Sequence, residues 1–242
     1  MFEASSAQVA VVDYGLGNLF SVKHACEQAG MRAMITSSPV EIFETSAVIL
    51  PGVGAFGDAM DTLRRSDLVS VLQEVAASGK PVLGICLGMQ LLMTESYEFG
   101  RHRGLGIIEG EVVRLQETID GLRKLKVPHV GWNRIYLPGE SSASVAWEGS
   151  VLEGLRGGEF MYFVHSFYPR PADPDVVLST TRYGPLEFCS SLRKGNVFAC
   201  QFHPERSGAR GLQIYRNLAT FIYQRMPEKD DAREARSEIR PA

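Results

Sequence analysis

The chain has 242 residues, 45% hydrophobic and 22% charged, an ordinary globular balance that can fill a core without disulfides or a structural metal. Its 25 Lys and Arg against 28 Asp and Glu leave a formal charge of −3, which offers no electrostatic footprint for nucleic acid or an anionic membrane. The start lacks a basic leader and no apolar run nears the ~18 residues of a membrane span. The four cysteines (Cys26, Cys86, Cys189, Cys200) form no C-x-x-C pair, so the composition reads as a reduced, cytoplasmic protein with no metal.

In chain order, Gln8–Asp13 reads as a strand and Leu19–Ala29 as a helix closed by Gly30. Met31–Thr36 and Ala47–Leu50 read as strands, then Asp58–Arg65 and Leu68–Ala77 as helices. Pro81–Ile85 is a buried strand followed at once by a helical run, Gly88–Ser96. This alternation predicts an α/β fold with an open, mostly parallel sheet and helices on both faces. From about Ile107 the character changes. Ile108–Leu115, Trp132–Leu137, Glu159–Phe163, Val176–Thr181, Phe188–Arg193 and Val197–Phe202 read as strands between turn residues, an antiparallel extension. A last helix, Gly208–Gln224, carries Leu212, Tyr215, Leu218, Phe221 and Ile222 at amphipathic spacing. One domain is expected over residues 1–226. The Ser-rich stretch Gly139–Ser144 reads as a surface loop and the charged tail 227–242 as disordered.

Gly84-Ile85-Cys86-Leu87-Gly88 is a strand ending in a nucleophile between glycines, with a helix beginning on the far side. Such a turn exposes the nucleophile, and only small neighbours permit its tight backbone. A helix N-terminus favours the thiolate that attacks carbonyls. The bland alternative is an inert buried thiol, common for free cysteine. Gln201-Phe202-His203-Pro204-Glu205 tips the balance, because it closes another apolar strand. Proline extends the residue before it, so Glu205 can reach the His203 ring and fix its tautomer, the base-and-orienter half of a triad. Gly52–Gly57 matches G-x-G-x-x-G, yet the next strand ends in Cys86 rather than the acidic residue that dinucleotide binding needs. That loop serves better as a source of backbone N–H groups. The Leu87 N–H, directly after the nucleophile, and one from Gly52–Val53 would form an oxyanion hole.

Gly84-Ile85-Cys86-Leu87-Gly88-Met89-Gln90 together with Gln201-Phe202-His203-Pro204-Glu205 resembles the triad, or class-I, glutamine amidotransferases, over about Val9 to Gln224. The resemblance implies a flavodoxin-like sheet, with Cys86 as nucleophile, His203 as general base and acid, and Glu205 orienting it. It also sets Gln90 and Glu98 against the polar ends of L-glutamine, with Gly52, Ser166 and Phe167 completing the pocket, and it implies no cofactor.

Four further stretches are similar to one branch, the glutaminase subunits of imidazole glycerol phosphate synthase in histidine biosynthesis. They are Tyr14-Gly15-Leu16-Gly17-Asn18-Leu19, Pro51-Gly52-Val53-Gly54, Pro128-His129-Val130-Gly131-Trp132-Asn133 and Tyr162-Phe163-Val164-His165-Ser166. That branch implies a (β/α)8-barrel cyclase as heterodimer partner, with Asn18, His129 and Trp132 as candidates for the docking face. The alternatives are a glutaminase serving another synthase, such as anthranilate synthase, or a thiol peptidase or γ-glutamyl hydrolase on a related fold. Arg206 departs from the lysine usual after His-Pro-Glu, and the two cations are not interchangeable.

Overall fold

Five apolar segments become adjacent parallel strands in the computed structural model, which describes residues 7–116, 118–119, 123–139 and 147–225. The first half runs β1 (Gln8–Val12), α1 (Leu19–Gln28), β2 (Arg32–Thr36), α2 (Pro39–Glu44), β3 (Ala47–Gly52), α3 (Phe56–Arg65), α4 (Leu68–Ala77), β4 (Val82–Cys86) and α5 (Leu87–Leu91). Short strands follow: β5 (Met93–Ser96), β6 (His102–Arg103), β7 (Ile108–Arg114), β8 (Thr118–Ile119), β9 (Arg123–Lys124) and β10 (His129–Arg134). The last part holds β11 (Phe160–His165), β12 (Phe167–Pro171), β13 (Val177–Tyr183), β14 (Leu186–Lys194), β15 (Val197–Cys200) and α6 (Gly208–Tyr223).

The main sheet has the order β13-β14-β15-β4-β3-β1-β2. Strands β2, β1, β3, β4 and β15 are parallel, and β14 and β13 extend the sheet antiparallel. Strand alternation divides the core in two. Ala10, Val12, Val48 and Leu50 face one layer with α3, α4 and α5, while Val9, Val11, Ala47 and Ile49 face the other with α1 and α6. The helices meet these layers with apolar stripes at i, i+3, i+4 and i+7, as Phe56, Ala59, Met60 and Leu63 do in α3. In α6 the buried stripe is Ile214, Tyr215, Leu218, Ala219 and Ile222, with Leu212 and Phe221 at its margin.

A second sheet, β12-β7-β5-β6, is antiparallel except for the parallel β5/β7 pair, and β10 pairs antiparallel with β11. Here the expected helix Gly88–Ser96 fails after Leu91. The Leu91 carbonyl accepts from the Leu105 N–H and the Leu92 carbonyl from the Ile107 N–H, partners from a neighbouring loop that replace the i+4 donors a helix would supply. Residues 93–96 then pair with β7 as a strand. The expected Trp132–Leu137 strand begins three residues earlier, at His129. Of the Ser-rich loop only Gly139 lies among the described residues, and the tail 227–242 lies outside them.

Helix α5 crosses β3 so closely that a Cβ on Gly88 would lie 1.7 Å from the Leu50 carbonyl oxygen. Nothing but glycine fits while β3 and α5 keep these positions. Gly88→Ala is expected to lower unfolding stability by about 1–3 kcal/mol through overpacking, measured by urea titration. A change below about 0.5 kcal/mol would show that α5 can lift off the strand.

Candidate active site

The parallel strands end together, and their carboxyl ends carry the chemistry, as open α/β sheets dispose them. Register sets Gly52 of β3 opposite Cys86 of β4, and Cys200 of β15 opposite Ile85. The chain must reverse from β4 into α5 within one residue, and Cys86 makes that turn at φ 54° and ψ −108°. A non-glycine residue there stores about 1–3 kcal/mol of strain, held by the surrounding packing. The same turn makes Leu87 the first residue of α5, so its N–H has no intrahelical acceptor.

After β15 the chain continues extended through His203, whose N–H bonds the Tyr162 carbonyl at 2.9 Å. Ser207 locks the segment by donating its hydroxyl to the His203 carbonyl at 2.7 Å. His203 Nδ1 donates to Glu205 Oε1 at 2.8 Å, and both side chains are buried. That bond occupies Nδ1 and leaves the buried Nε2 for the Cys86 side of the ring. Burial works against charge on the ring, but the Cys86 sulfur and the Glu205 carboxylate outweigh it and raise His203 to about 10. Both neighbours thus favour the protonated ring, the form that can act as an acid.

A cleft of about 280 Å³ opens beside Cys86, which is itself only 6% exposed. Val53, Leu87, Gln90, Glu98, Ser166 and Phe167 all line it, joined by Gly54, Pro128, Val164 and His165. Gly52 sits behind this lining, where a Cβ would come within 2.1 Å of the Tyr14 hydroxyl. Tyr14 in turn donates to the Pro51 carbonyl at 2.8 Å, fixing the loop that carries Val53. Glu98 is buried, its carboxyl pushed up by desolvation and partly held down by the Phe56 N–H, which it accepts at 2.6 Å. That bond places a carboxylate of the protein at the N-terminus of α3, where a dinucleotide pyrophosphate would have to sit. The G-x-G-x-x-G loop is thereby closed to that ligand.

Two of the three docking candidates are exposed and one is buried. Asn18 caps α1 in the open, next to Phe20, and Trp132 is 55% exposed. His129 is a correction: its ring is 3% exposed, stacked on Tyr183 and Phe163, and strand alternation turns Val130 outward in its place. It belongs to an internal chain of hydrogen bonds. His165 Nδ1 donates to the Phe167 carbonyl at 2.9 Å, so His165 Nε2 must accept from His129 Nδ1 at 3.1 Å. His129 Nε2 then accepts from Asn133 Nδ2 at 3.2 Å. One residue to which the sequence reading gave no role completes the interior. Gln201, known there only as part of the His203 motif, points its amide at Cys86, and Gln90 bonds it from the other side. Arg206 lies outside, its guanidinium 4.5 Å from the Tyr162 ring that also meets Trp132.

Residues 10–220 match the family "Glutamine amidotransferase class-I". The chain belongs to the class-I glutamine amidotransferases. Within that family it falls in the HisH branch. It is 45% identical to "Imidazole glycerol phosphate synthase subunit HisH" of Moorella thermoacetica over 214 residues, 88% of this chain and 95% of the relative. Identity to the proteins of the same name from Rhodopirellula baltica and Aquifex aeolicus is 46% in each case, over 88% and 87% of this chain and 97% and 95% of theirs. Among solved structures, "Crystal structure of glutamine amidotransferase" superposes with a TM-score of 0.65 at 19% identity, covering 88% of this chain and 98% of that one. "Structure of PurLQS from Thermotoga maritima" gives 0.66 at 18%, covering 90% and 99%. At such identities these two speak for the fold alone. The family makes the chain an enzyme of the glutaminase type, with glutamine as substrate.

Burial lowers His129 to about 4 and His165 to about 3, so both rings are neutral in the fold. In the unfolded chain they take up protons near pH 6.5. Below that value the unfolded state binds the extra protons, and stability falls as pH drops from 6.5 toward 4. His165→Asn, which can keep the bond to Phe167, is expected to flatten that slope in urea titrations across the window. An unchanged slope would mean that the ring is not held neutral.

Proposed function

We propose that Cys86, His203 and Glu205 hydrolyse the side-chain amide of L-glutamine, and that the ammonia passes to a cyclase subunit making imidazole glycerol phosphate. The observation that carries the catalytic reading is the buried His203–Glu205 pair, set beside a cysteine held at positive φ at the edge of a cleft. Cys86 Sγ forms a bond to the amide carbon while the carbonyl π electrons move to oxygen. The N–H groups of Leu87 and Val53 take up that oxyanion, an arrangement that commonly contributes 10²–10³ in rate per donor. As the oxyanion collapses the C–N bond breaks, and His203 gives its Nε2 proton to the leaving nitrogen, releasing ammonia. A water then attacks the thioester, yielding its proton to His203. The C–S bond breaks, and glutamate leaves with the second oxygen. Glutamine's remaining polar groups meet Gln90, Glu98, Ser166 and Phe167 along the cleft.

Ammonia released into water is protonated at once, so direct transfer to a partner fits the chemistry. The chain's relatives carry a synthase-subunit name, and the partner proposed here is the (β/α)8-barrel cyclase. The rim of the cleft supports such docking. Pro128, Val164 and His165 line the cleft, and the strands they begin or end present Val130 and Trp132 outward. Asn18, Phe20 and Arg206 add further exposed groups.

Cys86→Ala is expected to lower glutamine hydrolysis by roughly five orders of magnitude, and Glu205→Gln by about two to four, because the orienter matters less than the nucleophile. Near-normal turnover in Cys86→Ala would refute the assignment. Hydrolysis assayed with the cyclase and its nucleotide ligand should exceed that of the chain alone and appear as product. If an anthranilate synthase partner gives that coupling and the cyclase does not, the partner is misassigned.

A further inference from the structure

Gln201 follows the Cys200–Ile85 register pair, which brings it level with Cys86 across the β15/β4 boundary. It is fully buried, and no step of the hydrolysis described above employs it. Its Oε1 accepts from Gln90 Nε2 at 3.0 Å and its Nε2 donates to Cys86 Sγ at 3.5 Å. Which end of the amide meets the sulfur is decided by a group that cannot change its polarity. The Phe167 carbonyl oxygen only accepts, so the end of Gln90 that meets it at 2.9 Å is the NH2. The other hydrogen of that NH2 points to Gln201, which must offer Oε1 to Gln90 and turn its own NH2 to Cys86.

We propose that Gln201 is a positioning residue for the nucleophile, its N–H held on Cys86 Sγ by the chain Phe167 carbonyl, Gln90 amide, Gln201 amide. A hydrogen bond to a charged acceptor is stronger than one to its neutral form, so this donor favours the sulfur as thiolate and fixes its direction of attack. The chain also ties substrate pocket to nucleophile, since Gln90 and Phe167 line the cleft. The other titratable groups acting around the sulfur are His203 with Glu205 after β15, Cys200 within β15 and Tyr14 after β1. All four stay unaltered in the test. The inference rests on Cys86 being the nucleophile.

Alkylation of Cys86 by iodoacetamide in the full-length chain, mapped by mass spectrometry across pH, reads the thiolate without glutamine. Cys26, Cys189 and Cys200 are buried with thiols pushed up, and peptide mapping separates them from Cys86. Gln201→Met keeps the length of the side chain and removes the donor, whereas Gln201→Glu turns carboxylate oxygen toward the sulfur. The midpoint of Cys86 alkylation is expected to rise by about 1–2 pH units in Gln201→Met and further in Gln201→Glu. In parallel kcat should fall about 10–100-fold, with KM for glutamine within roughly threefold of the parent. If packing defeats Gln201→Met, the Gln201→Glu profile carries the same comparison. Alkylation profiles that coincide with the parent's, or a raised KM with kcat retained, overturn the role of Gln201 alone. Glutamine hydrolysis that survives complete alkylation of Cys86 in the parent overturns the nucleophile assignment, and this inference with it.

Discussion

The contact between Gly88 and the Leu50 carbonyl governs the geometry of this molecule. Helix α5 can follow β4 so abruptly only because it leans on β3 without a side chain between them. Gly84 serves the same end from the strand side, where a Cβ would come 3.0 Å from the Gly88 carbonyl oxygen and from a methyl of Leu92. The turn that remains forces Cys86 to a positive φ at the start of α5, beside the cleft. Strain at Cys86 is thus a consequence of close packing one residue pair away. The seven-stranded sheet and two apolar layers over-determine it, so the cysteine cannot relax without moving the sheet.

Around that turn the polar interior is ordered by a second fixed point. The Phe167 carbonyl accepts both from Gln90 and from His165, and each bond starts a chain whose every donor and acceptor then has only one assignment. One chain ends on the Cys86 sulfur. The other runs through His129 to Asn133, whose amide also donates to the Arg182 carbonyl of β13. Buried polar networks are costly when partly satisfied, and here the shared carbonyl keeps both fully directed. Phe167 begins β12, so the second sheet, which pairs β12 with β7, has a direct mechanical hold on the pocket.

Much of this was legible in the sequence, and the failures have physical reasons. Strands β1, β3, β4 and β15 were visible because they are buried on nearly every residue and read as continuous apolar runs; α3, α4 and α6 were visible because their stripes repeat at helical spacing. Strand β12 is hidden in the sequence because Pro169 and Pro171 argue against a strand, yet it lies at the edge of its sheet, where proline is tolerated. Helix α2 was also passed over, although Ser38-Pro39-Val40-Glu41 carries a Ser cap, a proline in the first turn and an acidic residue three positions on. Cys86, His203 and Glu205 stood out as candidates because each sits in a short motif with local geometry. Gln201 could not be assigned a role, since what gives it one is the register between β15 and β4, a long-range fact.

The Pro-His-x-Gly-Trp-Asn stretch shows how one motif can serve two masters. In β10 the alternation of a strand separates its side chains, with His129 and Asn133 inward and Val130, Trp132 and Arg134 outward. The inward members continue the chain that starts at Phe167, and the outward members form an apolar and cationic surface with Tyr162 and Arg206 near it. A one-residue slip in register would exchange the two sets, burying a tryptophan and exposing the histidine network. The six residue pairs between β10 and β11, from His129↔His165 to Arg134↔Phe160, prevent that slip. The exposed surface and the interior on which the pocket depends are therefore opposite faces of the same strand, and a shift of that strand would be felt on both.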